Sequence, residues 1–238
     1  MTVIDILRKE KMMQFERLKL LIGRENLEKI KQMKILVIGV GGVGSYLVEG
    51  LIRSGISDIT IVDFDTIDIT NINRQLMTNL DNVGEKKVIE MKKRILSINK
   101  DVKVTIVDKY INEDNFDELF KEKYDFICDC CDTLIVKKLL IEKCVKENIN
   151  LIISGGMGNK LNPEKIKITT LDKTSYDPIC KVLRKFVKDS NIKKKIYCIA
   201  SDEEIIKTNS KTIGSTSFVP STAGLLMASY VIRKIIDF

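Results

Sequence analysis

Apolar and polar positions along the chain follow two alternating periods. Lys34 to Gly39 is a short, nearly unbroken apolar run, as a strand buried on both faces requires. It leads into "VGSYLVEGLIRSG", whose apolar residues recur at helical spacing and whose closing Gly55 offers a helix stop. Ile59 to Asp63 is a second strand. Val88, Met91, Ile95 and Ile98 mark a helix in "GEKKVIEMKKRILSIN", and Val102 to Val107 alternates as a strand. "EDNFDELFKEK" reads as a short acidic helix, "YDFICDC" as a strand, "TLIVKKLLIEKCVKEN" as a helix and "INLIISGG" as the next strand. This β-α-β-α-β-α-β-α-β order predicts an α/β fold: a Rossmann-like, doubly wound, mainly parallel sheet with helices on both faces. Beyond Gly156 the pattern changes. "EKIKITTLDKT" predicts an antiparallel strand added near the C-terminus, followed by a basic helix near "DPICKVLRKFVKD", a strand at "KIYCIAS" and a last helix from about Thr222. Prolines occur only at 163, 178 and 220, and no repeat or linker interrupts the pattern.

Composition narrows the chemistry. A 238-residue chain can bury a full core, and 44% apolar with 31% charged residues is ordinary for a globular protein, which argues against disorder. Neither a membrane span nor a signal peptide is expected. The most apolar stretch, Phe218 to Ile232, runs into Arg233 and Lys234, and "MTVIDILRKEKMMQFERLK" has no apolar core. The cytoplasm is the expected compartment. Six cysteines without a leader read as free thiols, and Cys128 and Cys131, three apart, lie at a strand end where a zinc pair is not expected. The chain has no histidine, which excludes every Ser-His-Asp, Cys-His or His-metal mechanism. A net charge of +7 points to an anionic partner, or simply to lysine-rich composition.

"GVGGVG", Gly39 to Gly44, follows a strand and opens a helix. Gly39 suits the tight turn, Gly41 and Gly42 let phosphates approach the backbone, and Gly44 lets the helix pack closely. The helix N-terminus faces the anion. Asp63, at the end of the second strand, is placed to accept hydrogen bonds from ribose hydroxyls. NAD and ATP both carry that ribose. The polar run that follows, "DFDTIDITNINRQ" with Asp65, Asn71, Asn73, Arg74 and Gln75, and then Lys87, favours a triphosphate whose charge must be neutralised. "DCCDT" adds Asp132 and Thr133 at the carboxyl edge, where one carboxylate suits Mg²⁺ shared with phosphates and water. The plainer alternative makes Arg74 and Lys87 solvated charges and Asp132 a helix N-cap.

"GVGGVGS", "DFDTIDITNINRQ", "VGEKKV" and "DCCDT" together resemble the core of the ThiF/MoeB/ubiquitin-activating (E1-like) superfamily, over roughly Phe15 to Ser154. The resemblance implies an E1-like adenylation domain that activates a carboxylate with ATP and Mg²⁺, a monovalent cation being a further candidate. It makes Gly42, Asp63, Asn71, Arg74, Lys87 and Asp132 ATP-site residues, with Asp132 the magnesium ligand. It also makes Arg17, in "QFERLKLLIG", the arginine that reaches a neighbouring subunit's site, so a homodimer is implied. One domain over 1–238 is expected: a helical segment at 1–33, a nucleotide-binding core at 34–154, and a sheet extension with substrate and dimer surfaces at 155–238.

Zinc-binding CxxC pairs, usual in members acting on ubiquitin-like proteins, do not occur after this core. "GGMGNKLNPEKIKITTLDKTSYDP", "CIASDE" and "GSTSFVPSTAGLLMASYVI" instead resemble the tRNA threonylcarbamoyladenosine dehydratase branch, although the segment between "SDEE" and "GSTSF" is very short. That branch would adenylate the threonyl carboxylate of a modified adenosine in tRNA, and the neighbouring ureido group would close a ring. An intramolecular nucleophile removes the need for a catalytic thiol. "KVLRKFVKDSNIKKK" is either a phosphate-binding surface or a solvated helix face. Two alternatives stand beside it: activation of a small sulfur-carrier protein, with sulfur-transfer partner proteins, and a non-catalytic nucleotide-binding subunit. Cys130 and Cys131 flank Asp132 and read as buried thiols before they read as nucleophiles.

Overall fold

The computed structural model describes residues 13–238. The charged first twelve residues, which open the predicted N-terminal helical segment and bear on the signal-peptide question, lie outside the described residues. Helices α1 (Glu16–Ile22) and α2 (Arg24–Gln32) precede β1 (Lys34–Ile38), α3 (Gly44–Arg53), β2 (Asp58–Val62), α4 (Lys87–Ile98), β3 (Lys103–Val107) and β4 (Phe126–Asp129). Then come α5 (Leu134–Lys146), β5 (Asn150–Ser154), β6 (Ile166–Thr170), α6 (Pro178–Asp189), β7 (Tyr197–Ser201) and α7 (Phe218–Ile235).

The seven strands run in the order β3-β2-β1-β4-β5-β7-β6, every neighbour parallel except the β6–β7 pair. The chain starts at β1, winds outward to β3, and returns to β4 on the other side of β1. That reversal splays the connections after β1 and β4 apart and leaves a crevice at their carboxyl ends, where ligands of such sheets bind. Consecutive strand residues face opposite cores. Ile35, Val37, Ile59 and Ile61 join α2, α3, α4 and α7 on one side, while Leu36, Ile38, Val62 and Ile127 join α5 and α6 on the other. Glu49 of α3 takes two hydrogen bonds from Arg94 of α4 (3.0 and 2.7 Å) and one from Arg53 (2.7 Å), tying the helices that follow β1 and β2.

Two predicted elements differ. "EDNFDELFKEK" forms only a 3-10 turn, Phe116–Phe120. Asn112 and Asn115 side chains bond nearby backbone groups there and compete with an α-helix, and burial of Phe116 and Leu119, three apart, suits the tighter turn. The last helix starts at Phe218 rather than near Thr222, because Pro220 falls in its first turn, where no backbone donor is needed.

Candidate active site

The crevice is a cleft of about 340 Å³ at the carboxyl ends of β1, β2 and β4. Its floor is the glycine loop. Gly39 sits at φ +85°, and a side chain on it would lie 2.9 Å from the Cys130 carbonyl, while one on Gly44 would collide with the Gly39 carbonyl. These two glycines therefore let α3 begin directly against β1 and β4. Gly41 faces the open cleft, with the Gln75 amide nearest at 3.7 Å from where a Cβ would stand. Gly42 is less free than the phosphate reading implies, since a Cβ there would meet Pro220 of α7 at 3.2 Å and Arg74 at 3.4 Å. Among the described residues the backbone amides of Gly41, Gly42 and Val43 find no acceptor, and Gly41 and Gly42 line the cleft, so unused donors stand at a helix start beside it.

Asp63 braces this loop from the side. Its carboxylate accepts from Val40 N (2.8 Å) and Asp65 N (3.0 Å), one bond per oxygen, which leaves a lone pair on each for a diol. Burial raises its pKa, with the Lys87 charge opposing. The cleft also has apolar lining that escaped sequence reading: Phe64 and Tyr110 meet edge to face at 5.0 Å, and Ile111 and Val136 line it too. The usable signal was their place directly after strands β2 and β3.

The polar run after β2 folds into a 3-10 turn, Ile69–Asn71, capped by Asp68, which accepts from Thr70 N (2.8 Å). Asn71 returns the bond, its Oδ1 accepting from Asp68 N (3.2 Å). Arg74 Nη1 donates to Thr70 O (2.8 Å) and Asn73 Oδ1 (2.9 Å), which aims the guanidinium beside the glycine loop. Asn73 also donates to Ser215 O (3.1 Å) and so fastens the segment before α7 to the cleft. Gln75 is buried and lines the cleft with its Oε1 unpartnered, an acceptor that a bound group or water would satisfy. Lys87, buried, holds the half-exposed Asp65 at 2.6 Å.

The end of β4 carries two acids of opposite character. Asp129 is fully buried and receives Lys137 Nζ at 3.0 Å; that amine also donates to Ser154 O at 3.0 Å. Burial alone would pull the Lys137 amine down, but the Asp129 carboxylate outweighs it and holds it up at about 12. This pair was invisible in the sequence. Asp132, three residues on, is exposed and lines the cleft; Thr133, not Asp132, is the N-cap of α5. The helix-cap alternative for Asp132 therefore fails. Burial raises Cys128, Cys130 and Cys131, so these thiols are protonated at neutral pH. Among the described residues no group of three or more acidic or thiol side chains could cage a metal. A lone Asp132 fits a divalent ion that arrives with phosphate oxygens and water.

The cleft thus brings together Gly39, Gly41, Gly42, Asp63, Asp65, Asn71, Arg74, Gln75, Lys87, Asp132 and Thr133. Gly44 lies beneath them, and Asn73 anchors their rim. Arg17 is elsewhere. It is exposed on α1, whose residues Glu16 and Lys19 border a cavity reaching Ser57 and Asn99, just before β2 and β3, at the opposite edge of the sheet.

Comparison with known proteins places this cleft in context. The profile of the ThiF family matches residues 15–238. The tRNA threonylcarbamoyladenosine dehydratase of Bacillus subtilis (strain 168) is 39% identical over 240 residues, 94% of each chain. That of Escherichia coli (strain K12) is 32% identical over 241 residues, 90% of each. The crystal structure of the E. coli tRNA N6-threonylcarbamoyladenosine dehydratase in complex with ATP superposes with a TM-score of 0.88 at 33% identity, covering 94% of each chain. The structure of that protein with AMP superposes equally well, with a TM-score of 0.88.

Proposed function

The chain belongs to the ThiF family, and from that premise we propose that it dehydrates N6-threonylcarbamoyladenosine in tRNA at the expense of ATP. The carrying observation is the cleft itself: Arg74, Lys87 and Asp132 converge on a glycine loop with free amides, while neighbouring thiols are held protonated. Such a site can activate a carboxylate but offers no thiolate to receive it.

Asp63 would hold the ribose of ATP, and Gly41, Gly42 and Arg74 would hold its phosphates. A carboxylate oxygen of the substrate attacks the α-phosphorus, and pyrophosphate leaves. Arg74 and Lys87 stabilise the charge that develops, Lys87 exchanging Asp65 for phosphate. Magnesium bound with the triphosphate would be held by Asp132 and would supply further neutralisation of the leaving group. The ureido group beside the activated carbonyl then closes the ring and expels AMP, with net loss of one water from the nucleoside. Because that nucleophile is tethered, the chain need only position it.

The same reading makes the enzyme a homodimer. Helix α1 buries none of its residues, and Leu20 and Leu21 are 83% and 82% exposed, which supports a second copy covering this helix and Arg17 reaching that copy's cleft. No helix among the described residues is long and apolar enough to cross a membrane, and a tRNA substrate sets the work in the cytoplasm.

The test is mass spectrometry of tRNA nucleosides after incubation with MgATP. A nucleoside lighter by one water should appear only with tRNA that already carries the threonylcarbamoyl group, together with pyrophosphate. Equal pyrophosphate release with a small sulfur-carrier protein and no tRNA would overturn the assignment.

A further inference from the structure

Two adjoining grooves open at the edge of the sheet opposite the cleft, one on each side of the chain that links α6 to β7. The first, about 470 Å³, starts at Phe126, Asn150 and Tyr197, the first residues of β4, β5 and β7, and is walled by Lys194, Lys195 and Lys234. The second, about 450 Å³, shares Lys194 and Lys195 and adds Arg184, Lys188 and Lys193. Asp172 is the carboxylate lining it.

Charge here is compensated only in part, by Asp172, whose carboxylate acts through space on Lys195 and Lys173. Among the described residues, no lysine between Lys181 and Lys195, nor Lys234, has a carboxylate partner within 4.0 Å; Lys194 donates to the neutral Asn148 amide at 2.9 Å. Some lysines elsewhere on the surface, such as Lys86, Lys103 and Lys109, are paired with an acid; what sets this edge apart is that Lys193, Lys194 and Lys195 are consecutive and share their grooves with Arg184, Lys188 and Lys234. Crowding unpaired cations costs self-repulsion, which an incoming polyanion would relieve. The first groove also has a flat apolar wall. Tyr197 packs against Tyr230 at 5.3 Å, and Tyr230 is wedged edge-on against Phe126 at 6.2 Å, so the exposed Tyr197 ring is held in place. Cations beside a fixed aromatic plane suit a nucleic acid, with phosphates on the lysines and a base on the ring.

Position then decides which part of a nucleic acid. Five-residue strands separate the two edges by about 17 Å before loops are added, so a nucleotide in the cleft leaves these lysines beside another part of the same molecule. Resting on the reading of the cleft as a tRNA-modifying site, we propose that the Lys193–Lys195 edge binds the tRNA backbone a second time, outside the anticodon arm that presents the reacting adenosine.

The experiment compares an unmodified full-length tRNA with its isolated anticodon stem-loop, by filter binding to the whole protein over a salt series. Wild type should bind the full-length tRNA more tightly. The combined variant Lys193→Gln, Lys194→Gln and Lys195→Gln should bind full-length tRNA roughly tenfold or more weakly, with a salt slope shallower by about 2 to 3, since each phosphate contact contributes about 0.9. Its stem-loop affinity, ATP affinity and melting temperature should stay at wild-type values. Should the triple variant unfold, the single variants Lys194→Gln and Lys234→Gln carry the same comparison. Unchanged full-length affinity in a folded variant, or equal loss for both RNAs, overturns the proposal. Binding needs no turnover here, so failure of the dehydratase reading shows separately, as modified tRNA left unreacted by wild type.

Discussion

Two lysine–carboxylate pairs flank the carboxyl edge of the sheet, and they do opposite things. Lys137 and Asp129 are both fully buried, 3.0 Å apart, with the amine's second bond going to a backbone carbonyl. Lys87 and Asp65 are 2.6 Å apart, but Asp65 is 46% exposed and opens into the cleft. The sealed pair has no other charge to turn to: Asp129 otherwise meets only the Cys131 amide and thiol, and Lys137 only a carbonyl, in an apolar interior. The open pair is free to exchange, and in the proposed reaction water takes over Asp65 while Lys87 turns to a phosphate. The difference separates a charge that holds the frame from a charge that is available for chemistry, although both look alike as a contact.

The sharpest way to break this comparison is to delete charges at the open site. Lys87→Met and Asp132→Asn should each lower pyrophosphate release with modified tRNA by roughly a thousand-fold, about 4 kcal/mol of transition-state stabilisation. Stability should move by no more than about 1 kcal/mol, because the acid left by Lys87→Met is solvated. Full turnover in either folded variant removes that residue from the mechanism. Arg17→Ala should be comparably impaired, and mixing it with Asp132→Asn should restore part of the activity if each cleft takes Arg17 from its neighbour. Mixed dimers that stay inactive would argue against shared sites.

At the sealed pair the expectation reverses. Lys137→Met should cost about 3–5 kcal/mol in urea unfolding, because Asp129 is left buried without a cation. Adding Asp129→Asn should recover much of that loss. The pH dependence has a definite sign. Lys137 is held up at about 12, above its ordinary value near 10.4, so its contribution is fully present below about pH 10.4. It is lost as pH rises through 12. The stability gap between wild type and Lys137→Met should therefore be constant from pH 7 to 10 and close above it; a gap already closing near pH 8 would contradict the pairing.

Asp65 and Lys87 could be singled out in the chain as candidate site residues, though not as a pair, while the sealed pair gave no signal, for a physical reason. Strands buried on both faces leave unbroken apolar runs, and the glycines at 39 and 44 are demanded by collisions within a few residues of sequence. Asp63, Lys87 and Asp132 follow because they sit at strand and helix ends that such runs delimit. Lys137 gives no such signal: it lies in a helix whose apolar pattern already accounts for burial, and its partner is found only after β4 and α5 pack. Contacts between distant segments were hidden for the same reason. Asn73 reaches Ser215 across 142 residues, and Pro220 fills the space beside Gly42, so the packing of α7 by itself calls for a small residue there. The acidic stretch at Phe116 misled because its asparagines compete locally for the backbone.

The smallest effect expected is at the thiols that stand between the two pairs. Cys130 Sγ lies 3.9 Å from the Met227 sulfur, and Cys131 Sγ donates to Asp129 Oδ1 at 3.0 Å. Burial, then the negative Asp129, raises Cys131, and burial likewise raises Cys130, so neither is a thiolate at neutral pH. A thioester step would need the ionised sulfur. Cys130→Ala and Cys131→Ser should therefore keep turnover within a few-fold of wild type. Cys131→Ala should lose slightly more stability than Cys131→Ser, because serine retains a donor to the sealed acid, a difference of about 1 kcal/mol. Iodoacetamide at neutral pH should leave activity unchanged. A loss of roughly a thousand-fold in a folded cysteine variant would move the chemistry from the tethered nucleophile to the protein's own sulfur, and with it the sharp division between framework and reactive charge at this edge.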